Sequence, residues 1–328
     1  MSRELHSLEG EFIVLLCSFG GGGRRSRNDM LRLARQASRC TTETLRRQHS
    51  ISMAPLTYYS AWFCPFAHRA TLALEHHADV VPYAWEEALG WEKRPPSGDE
   101  EFDAESREDW WYHHKSPGLL KANPLGMVPT LVDAHERVVT ESLVTVQFVD
   151  ELARTRGGAA PRLLDNDPFV AARSRVAAEK ANRTVCSGYY RVLVRTDDVE
   201  RREGFAQITD GLKTFLDDDD ATGLNGPFWG GRLSPGLPDF SLFPYAYRLY
   251  VLEHYRGPDF AVPGSSRYRR WYDAMIELPA VARTLPDKDR YLAHVAKYAH
   301  GKARSKVGNA VRRGVAAHDY DDVVDGDR

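Results

Sequence analysis

The pattern of apolar residues changes once along this chain, at the Gly- and Pro-rich stretch ARTRGGAAPRLLDNDP (153–168). Before this stretch, short β-branched and aromatic runs alternate with segments of helical period. After it, the strand patterns vanish and helical periodicity remains. A stretch of this composition between two such patterns is typical of an interdomain linker. The sequence therefore predicts an α/β domain over 54–155 followed by an all-α domain over 162–300.

The order of elements narrows the fold of the first domain. The predicted elements are a strand at 56–60, a helix at 65–77, a strand at 80–86, an inserted polar and Trp-rich loop at 87–114, a strand hairpin at 127–140 and an amphipathic helix at 142–153. This order, β-α-β-loop-β-β-α with a proline at the start of the third strand, indicates a thioredoxin-like domain. In the second domain, helices are predicted at 169–195, 199–217, 239–255, 267–277 and 288–299.

The two ends of the chain differ from its middle. Residues 1–53 contain nine Arg and no Lys, which favours an extension that is disordered or cleaved, or an organelle transit peptide. Residues 301–328 are first basic and then acidic with few core-forming residues, so we predict a disordered tail. The longest apolar run, FIVLLCSF at 12–19, is far shorter than the ~18 residues that a membrane span requires.

Charge and cysteine content limit the partners and the compartment. The formal net charge of −2 gives no reason to expect a nucleic acid partner. The four cysteines show neither a disulfide framework nor the spacing of a zinc site, so no metal is expected; they are Cys17, Cys40, Cys64 and Cys186. We expect a reducing, cytoplasmic location, or a mitochondrion or other organelle if residues 1–53 act as a transit peptide.

The first chemical signal is a single cysteine in WFCPFAHR (62–69). Cys64 lies where a strand meets a helix, and free N–H groups at a helix N-terminus favour an anion. We therefore predict a lowered pKa and a nucleophilic thiolate, the alternative being an inert buried cysteine. Ala67 occupies the position where a CxxC motif would have its second cysteine. His68 and Arg69 are interpreted as residues of the helix surface. The alternative for His68, one helical turn after Cys64, is that it shares a proton with the thiol.

Two further signals lie downstream. Pro129, inside a strand pattern, is explained if the Val128–Pro129 bond is cis, which would leave the Val128 N–H and C=O to pair with an extended peptide. The alternative is an ordinary edge proline. Glu141 and Ser142 precede a helix and would bind an ammonium and a carboxylate, or would be a plain helix cap. Together the three signals describe a site for a small thiol peptide with a zwitterionic end, which is glutathione.

From Pro55 to Ala299 the chain resembles a cytosolic-type glutathione transferase, and the run CPFAHR points to the omega class. The resemblance implies that Cys64 is the catalytic cysteine, which forms a mixed disulfide with glutathione. It also implies a set of glutathione-binding residues, namely Lys115, Val128, Pro129, Glu141 and Ser142, with Phe66 packed beside the thiol. Gly236 stands where the family commonly has Ser or Thr in a helix cap. CPFAHR also approaches the CPWAHR of glutathionyl-hydroquinone reductases, but VVTES before the helix favours omega.

The resemblance implies a glutathione-dependent thiol transferase or dehydroascorbate reductase with glutathione as co-substrate. One cysteine suffices because a second glutathione supplies the resolving thiol. Two alternatives are conjugation of glutathione to electrophiles and a non-enzymatic binding protein of the chloride-channel-like type. The second domain is expected to supply the wall for a small oxidised or electrophilic substrate, with Trp229, Tyr245 and Tyr247 as candidates. The alternative is that these three are core aromatics. Because family members are often dimers, a homodimer is a candidate assembly.

Overall fold

The computed structural model describes residues 54–93, 110–217 and 225–319. The predictions made for the Arg-rich extension 1–53 lie outside these residues, as does most of the 87–114 insertion. Within the described part, the predicted α/β domain followed by a helical region is confirmed.

The first domain is a four-stranded mixed sheet with helices on it. Its elements are β1 (Leu56–Ser60), α1 (Pro65–His76), β2 (Tyr83–Glu87), β3 (Leu89–Lys93), β4 (Trp111–Lys115), α2 (Pro117–Ala122), β5 (Thr130–Val132), β6 (Val138–Val139) and α3 (Ser142–Thr155). The sheet order is β2-β1-β5-β6. Strands β1 and β2 are parallel, whereas β5 pairs antiparallel with both β1 and β6.

Strand β1 is fixed against α1 by its buried face. Leu56, Tyr58 and Ser60 are buried in alternation with half-buried neighbours, as expected of a strand with one face in the core. The Tyr58 hydroxyl donates to the Ala67 carbonyl of α1 at 2.6 Å. The strand and the start of the helix are therefore held at a defined distance, and the loop between them carries Cys64.

The interpretation of the 87–114 insertion as a loop is wrong at both of its described ends. Strands β3 and β4 pair antiparallel, with Leu89 opposite Lys115 and Lys93 opposite Trp111. The Trp91 ring packs on His113 at 4.0 Å between centroids. Trp91, one of the aromatic residues of the predicted loop, thus packs across a pair of antiparallel strands.

The second domain is helical throughout. Its helices are α4 (Pro168–Ala181), α5 (Ser187–Val194), α6 (Asp198–Asp217), α7 (Leu237–Ala246), α8 (Tyr250–Arg256), α9 (Ser266–Glu277), α10 (Pro279–Ala282), α11 (Lys288–Ala299) and α12 (Lys306–Arg312), and a π-helical turn (Asn182–Cys186) joins α4 to α5. No helix in the described ranges is long and apolar enough to cross a membrane.

The cap of α7 forms although Gly236 has no hydroxyl. The Asp239 carboxylate accepts from Gly236 N at 2.7 Å, from Trp229 N at 2.9 Å and from Trp271 Nε1 at 2.8 Å. All three donors are in the protein interior, so one buried carboxylate joins the helix start to two tryptophans.

The prediction of a disordered tail over 301–328 is wrong for residues 301–319; the remainder lies outside the described residues. Residues Lys302–Asp319, called the C-terminal segment below, contain α12 and an isolated β-bridge between Ala303 and Trp111. Val307 and Val311 are buried. The segment is held by backbone hydrogen bonds to Trp111 and by the Arg195 guanidinium, which donates to the Val311 and Arg312 carbonyls. Composition alone did not reveal this.

Candidate active site

Cys64 is the residue that immediately precedes α1, with Pro65 at the first helical position as predicted. Its side chain is half-buried and packs against the core. Burial raises the pKa of the Cys64 thiol, and this outweighs the lowering by the backbone N–H groups of Phe66 and Ala67 and by the positive charges of Arg248 and Arg69. The prediction of a lowered pKa is therefore wrong, because aromatic rings from the second domain exclude water from the helix start.

The cavity at Cys64 has a volume of about 40 Å³ and mostly apolar walls. The aromatic residues of its second-domain wall are Tyr190 on α5 and Tyr291, His294 and Tyr298 on α11. The spacing of the three residues on α11 places them on one helix face. A helix at 288–299 is predicted from the sequence, and the spacing of these three residues is the signal that could have placed them at the site.

A larger cavity of about 280 Å³ adjoins the first and contains most of the predicted glutathione-binding residues. Val128, Pro129, Glu141 and Ser142 line it, and Phe66 and Val128 line both cavities. Lys115 lines the Cys64 cavity. The structure thus places the predicted residues around two neighbouring cavities that share lining residues, with Cys64 at the smaller one.

The loop before β5 presents Val128 to the larger cavity. The Val128–Pro129 peptide bond is cis, as predicted. The Asn123 side chain fastens this loop, since its Nδ2 donates to the Met127 carbonyl at 3.2 Å and to Thr130 Oγ1 at 3.1 Å. No described residue is hydrogen-bonded to the Val128 N–H or C=O, so both groups can pair with a peptide ligand.

Gly126 in the same loop allows Lys115 to reach the cavity. Gly126 has a φ of 62°, a conformation that favours glycine. A Cβ at this position would lie 2.5 Å from Lys115 Cδ. The Lys115 side chain therefore lies directly over the Gly126 backbone, and a side chain at position 126 would require Lys115 to move.

Glu141 has the backbone geometry of a constrained functional residue. Its φ is 66°, which is uncommon for a residue other than glycine, and its side chain makes no capping hydrogen bond to α3. The plain-cap alternative does not fit this side chain. Ser142 begins α3 and is buried, with its hydroxyl fixed by a hydrogen bond from a residue of α1.

That contact comes from Arg69, which the sequence analysis placed on the surface. Arg69 is 0% exposed. Its guanidinium donates to Ser142 Oγ at 2.9 Å, Asn182 Oδ1 at 3.0 Å, Cys186 Sγ at 3.0 Å and the Ser241 carbonyl at 2.8 Å. Arg69 therefore joins α1 and α3 of the first domain to the π-helical turn and α7 of the second. It also orients the hydroxyl that is predicted to bind glutathione.

His68 is also buried, contrary to the surface interpretation. Its Nε2 lies 2.9 Å from Thr284 Oγ1 and its Nδ1 lies 3.1 Å from an Arg248 nitrogen. Burial, assisted by the charge of Arg248, lowers the pKa of His68 well below its ordinary value. Because both ring nitrogens contact second-domain residues, His68 serves the domain interface and is not placed to take the thiol proton.

Trp229, Tyr245 and Tyr247, the predicted co-substrate wall, are core residues. All three are buried and none lines the Cys64 cavity. Tyr245 does contact Phe66, with 5.5 Å between ring centroids, and so supports the cavity from behind. The aromatic wall exists, but it is built by the residues on α5 and α11.

Among the described residues that line the Cys64 cavity, the charged side chains are lysines. Burial lowers the pKa of His113 to about 3 and that of His294 to about 2, so both rings are neutral. His294 Nε2 accepts a hydrogen bond from Trp91 Nε1 at 3.2 Å, which agrees with a neutral ring. No carboxylate is among the described residues that line this cavity, whereas Lys115 and Lys306 are.

Residues 63–152 match the family model described as glutathione S-transferase, N-terminal domain. A probable glutathione transferase omega-2 of Caenorhabditis briggsae is 24% identical over 68% of this chain and 78% of its own length. Glutathione S-transferase U28 of Arabidopsis thaliana is 29% identical over 60% of this chain and 83% of its own. Much of the chain is therefore similar to proteins that are named glutathione transferases.

Solved structures show the fold. Glutathione transferase Omega 3C from Trametes versicolor superposes with a TM-score of 0.56 at 22% identity, covering 78% of this chain and 95% of that one. Rice GST1 in complex with glutathione gives a TM-score of 0.57 at 20% identity, covering 76% and 97%. The protein has the glutathione transferase fold, with an α/β N-terminal domain and a helical C-terminal region.

Proposed function

We propose that this protein is a glutathione-dependent enzyme of the omega-like type, acting as a thiol transferase or dehydroascorbate reductase through Cys64. The observation that carries the proposal is that two cavities are neighbours and share Phe66 and Val128 in their linings. The thiol lies in the smaller cavity, and the adjoining one is lined by Val128, Glu141 and Ser142. A tripeptide in the larger cavity would direct its own thiol towards Cys64. Support for an enzyme also comes from relatives that are named glutathione transferases.

In the proposed complex, each part of glutathione has a partner of matching chemistry. The Val128 backbone pairs with the cysteinyl unit, as one strand pairs with another. The Glu141 carboxylate binds the γ-glutamyl ammonium, and the Ser142 hydroxyl and N–H bind the γ-glutamyl carboxylate. Lys115 is positioned to attract the glycyl end.

The proposed reaction has two thiol–disulfide exchanges. The Cys64 thiolate attacks the glutathionyl sulfur of a mixed disulfide, the S–S bond breaks, and the substrate leaves as a thiolate. A second glutathione thiolate then attacks the Cys64 mixed disulfide, which releases oxidised glutathione and the Cys64 thiolate. With dehydroascorbate, two glutathione molecules supply the two electrons that reduce it. Because the pKa of Cys64 is raised, the thiol must first lose its proton, and the Phe66 and Ala67 N–H groups then stabilise the anion.

The direct test is mass spectrometry after incubation with oxidised glutathione. We expect one glutathionyl adduct on Cys64, removable by reductant, and none in Cys64→Ser. Cys186→Ser is the matched control, since Cys186 is buried, and it should still form the adduct. Disulfide and dehydroascorbate reduction should be lost in Cys64→Ser. Full disulfide reductase activity in that variant would contradict the mechanism.

A second candidate is conjugation of glutathione to electrophiles. Two observations favour it: the raised pKa of Cys64, which makes that thiol a weaker nucleophile at neutral pH, and the similarity to Glutathione S-transferase U28. Under this alternative Cys64 would not be needed as a nucleophile. Measuring aryl-halide conjugation beside disulfide reduction in both the parent protein and Cys64→Ser separates the two candidates.

We also propose that two copies associate. Large apolar side chains are exposed on both domains: Val144 on α3 is 49% exposed, and Phe169 and Val176 on α4 are 72% and 68% exposed. Apolar surface of this kind is typical of an interface. Sedimentation velocity should give a dimer that Val176→Asp weakens, and a monomer at all concentrations for the parent protein would contradict the proposal.

A further inference from the structure

The C-terminal segment, which composition predicted to be disordered, forms part of the wall of the Cys64 cavity. Two backbone hydrogen bonds join it to β4, from Trp111 N to the Lys302 carbonyl at 2.9 Å and from Arg304 N to the Trp111 carbonyl at 2.8 Å. Further along, Arg195 donates to the Arg312 carbonyl at 2.7 Å. The segment is therefore held at two points, one on each domain.

Between these points, Ser305, Lys306 and Val307 line the cavity. Ser305 is 1% exposed, and its hydroxyl lies 2.8 Å from the hydroxyl of Tyr298, which lines the same cavity. Ser305 Oγ also accepts from Gly308 N at 3.1 Å. The backbone that carries Lys306 is thus fixed on both sides, and its half-buried side chain is part of a built wall.

Several basic residues of the described part contact an acidic partner, whereas Lys306 does not. Arg162, Arg195 and Arg283 each contact a carboxylate. No described carboxylate lies within ion-pair distance of Lys306, and none lines the cavity. An ammonium group beside apolar walls, where water is scarce, interacts strongly with an anion that enters.

We propose that Lys306 is a ligand-binding residue that recognises a carboxylate of the molecule bound beside Cys64. This inference rests on the proposed function. It adds a residue that determines which ligands bind beside Cys64. The carboxylate is either the glycyl carboxylate of glutathione or one carried by the co-substrate thiol. In both cases the C-terminal segment, outside the part of the chain that carries the predicted motifs, selects for negative charge.

The test is calorimetric binding in a Cys64→Ser background, which prevents exchange chemistry. The first two ligands are glutathione and its glycyl ethyl ester. The other two are the mixed disulfide of glutathione with 3-mercaptopropionate and the same disulfide with its mercaptopropionyl carboxylate as the methyl ester. Lys306→Met removes the charge and keeps the chain length. The matched control is Arg313→Met, which removes one exposed positive charge from the same segment, and Lys306→Arg should retain binding.

For the carboxylate that Lys306 recognises, we expect about fivefold weaker binding in Lys306→Met, as for a partly exposed ion pair. If the glycyl carboxylate is the partner, glutathione loses affinity and its ethyl ester does not. If the co-substrate carboxylate is the partner, only the mercaptopropionate disulfide loses affinity, and its methyl ester does not.

Equal losses for all four ligands, or no loss for any acid, would overturn the inference while leaving glutathione binding intact. Absence of binding by all four ligands, with Lys306 and Arg313 present, would overturn the proposed function as well. The two failures are therefore distinguishable. Thermal unfolding of each variant shows whether the C-terminal segment has kept its fold.

Discussion

Replacement of Arg69 by lysine tests whether one buried guanidinium joins the two domains. Arg69 is fully buried and donates four hydrogen bonds, all to neutral acceptors. The acceptors lie on α3, on the π-helical turn and on α7. A planar guanidinium reaches in several directions from three nitrogens, whereas a lysine ammonium is a single point.

The expected loss follows from this geometry. Lysine can keep about two of the four hydrogen bonds, and each bond to a charged donor contributes about 1.5–3 kcal/mol. The ammonium is also more strongly hydrated than the guanidinium, so its burial costs more. Against this, the two freed acceptors partly rearrange. We therefore expect Arg69→Lys to lower the free energy of unfolding by about 3 kcal/mol.

Urea unfolding followed by fluorescence and circular dichroism measures this loss. The matched control is Arg154→Lys, because Arg154 is exposed and pairs with Glu151 at 3.0 Å on one helix. That change should cost no more than about 0.5 kcal/mol. A double-mutant cycle with Ser142→Ala should show coupling, since the Arg69–Ser142 bond is lost in both variants. A loss below about 1 kcal/mol in Arg69→Lys would refute the reasoning.

Three further predictions concern the site and its support. Burial raises the pKa of Cys64, so its thiolate fraction should still increase above pH ~8.5, the ordinary pKa of a thiol. The rate of Cys64 alkylation by iodoacetamide should increase over the same range. An alkylation rate that reaches its plateau below pH ~7 would contradict this prediction. Gly126→Ala should displace Lys115 and weaken glutathione binding measured by calorimetry. The control is Gly157→Ala, because Gly157 has a similar φ of 73° and no atom lies within 4 Å of the added Cβ. This control should leave glutathione binding unchanged. Asp239→Ala should lower the free energy of unfolding by about 3 kcal/mol, because three buried N–H donors lose their acceptor; a urea-unfolding loss below about 1 kcal/mol would argue against that account.

The parts of the site that the sequence predicted are those set by local backbone chemistry. Pro65 after Cys64 indicated a helix start, and a proline in a strand pattern indicated the cis bond at Val128–Pro129. The helix beginning at Ser142 was likewise marked by its own periodicity. Each of these signals lies within a few residues of the feature it predicts.

The parts that were missed depend on contacts between distant residues. The acceptors of Arg69 lie 73 to 172 positions further along the chain. Its charge alone made it resemble a surface residue. The pKa of Cys64 was predicted with the wrong sign because the helix start is local, whereas the desolvating aromatic wall comes from α5 and α11. Average composition likewise could not show that Ala303 pairs with Trp111.

The contact between Trp111 and Ala303 also bears on the order in which the protein is made. Synthesis proceeds from the N-terminus, so the domain that carries Cys64 leaves the ribosome long before residue 303 does. During that interval the helix start has neither the C-terminal segment nor the α11 aromatics over it. Without their desolvation the thiol ionises more readily. We therefore expect Cys64 to react faster in a chain that ends before α11 than in the complete protein.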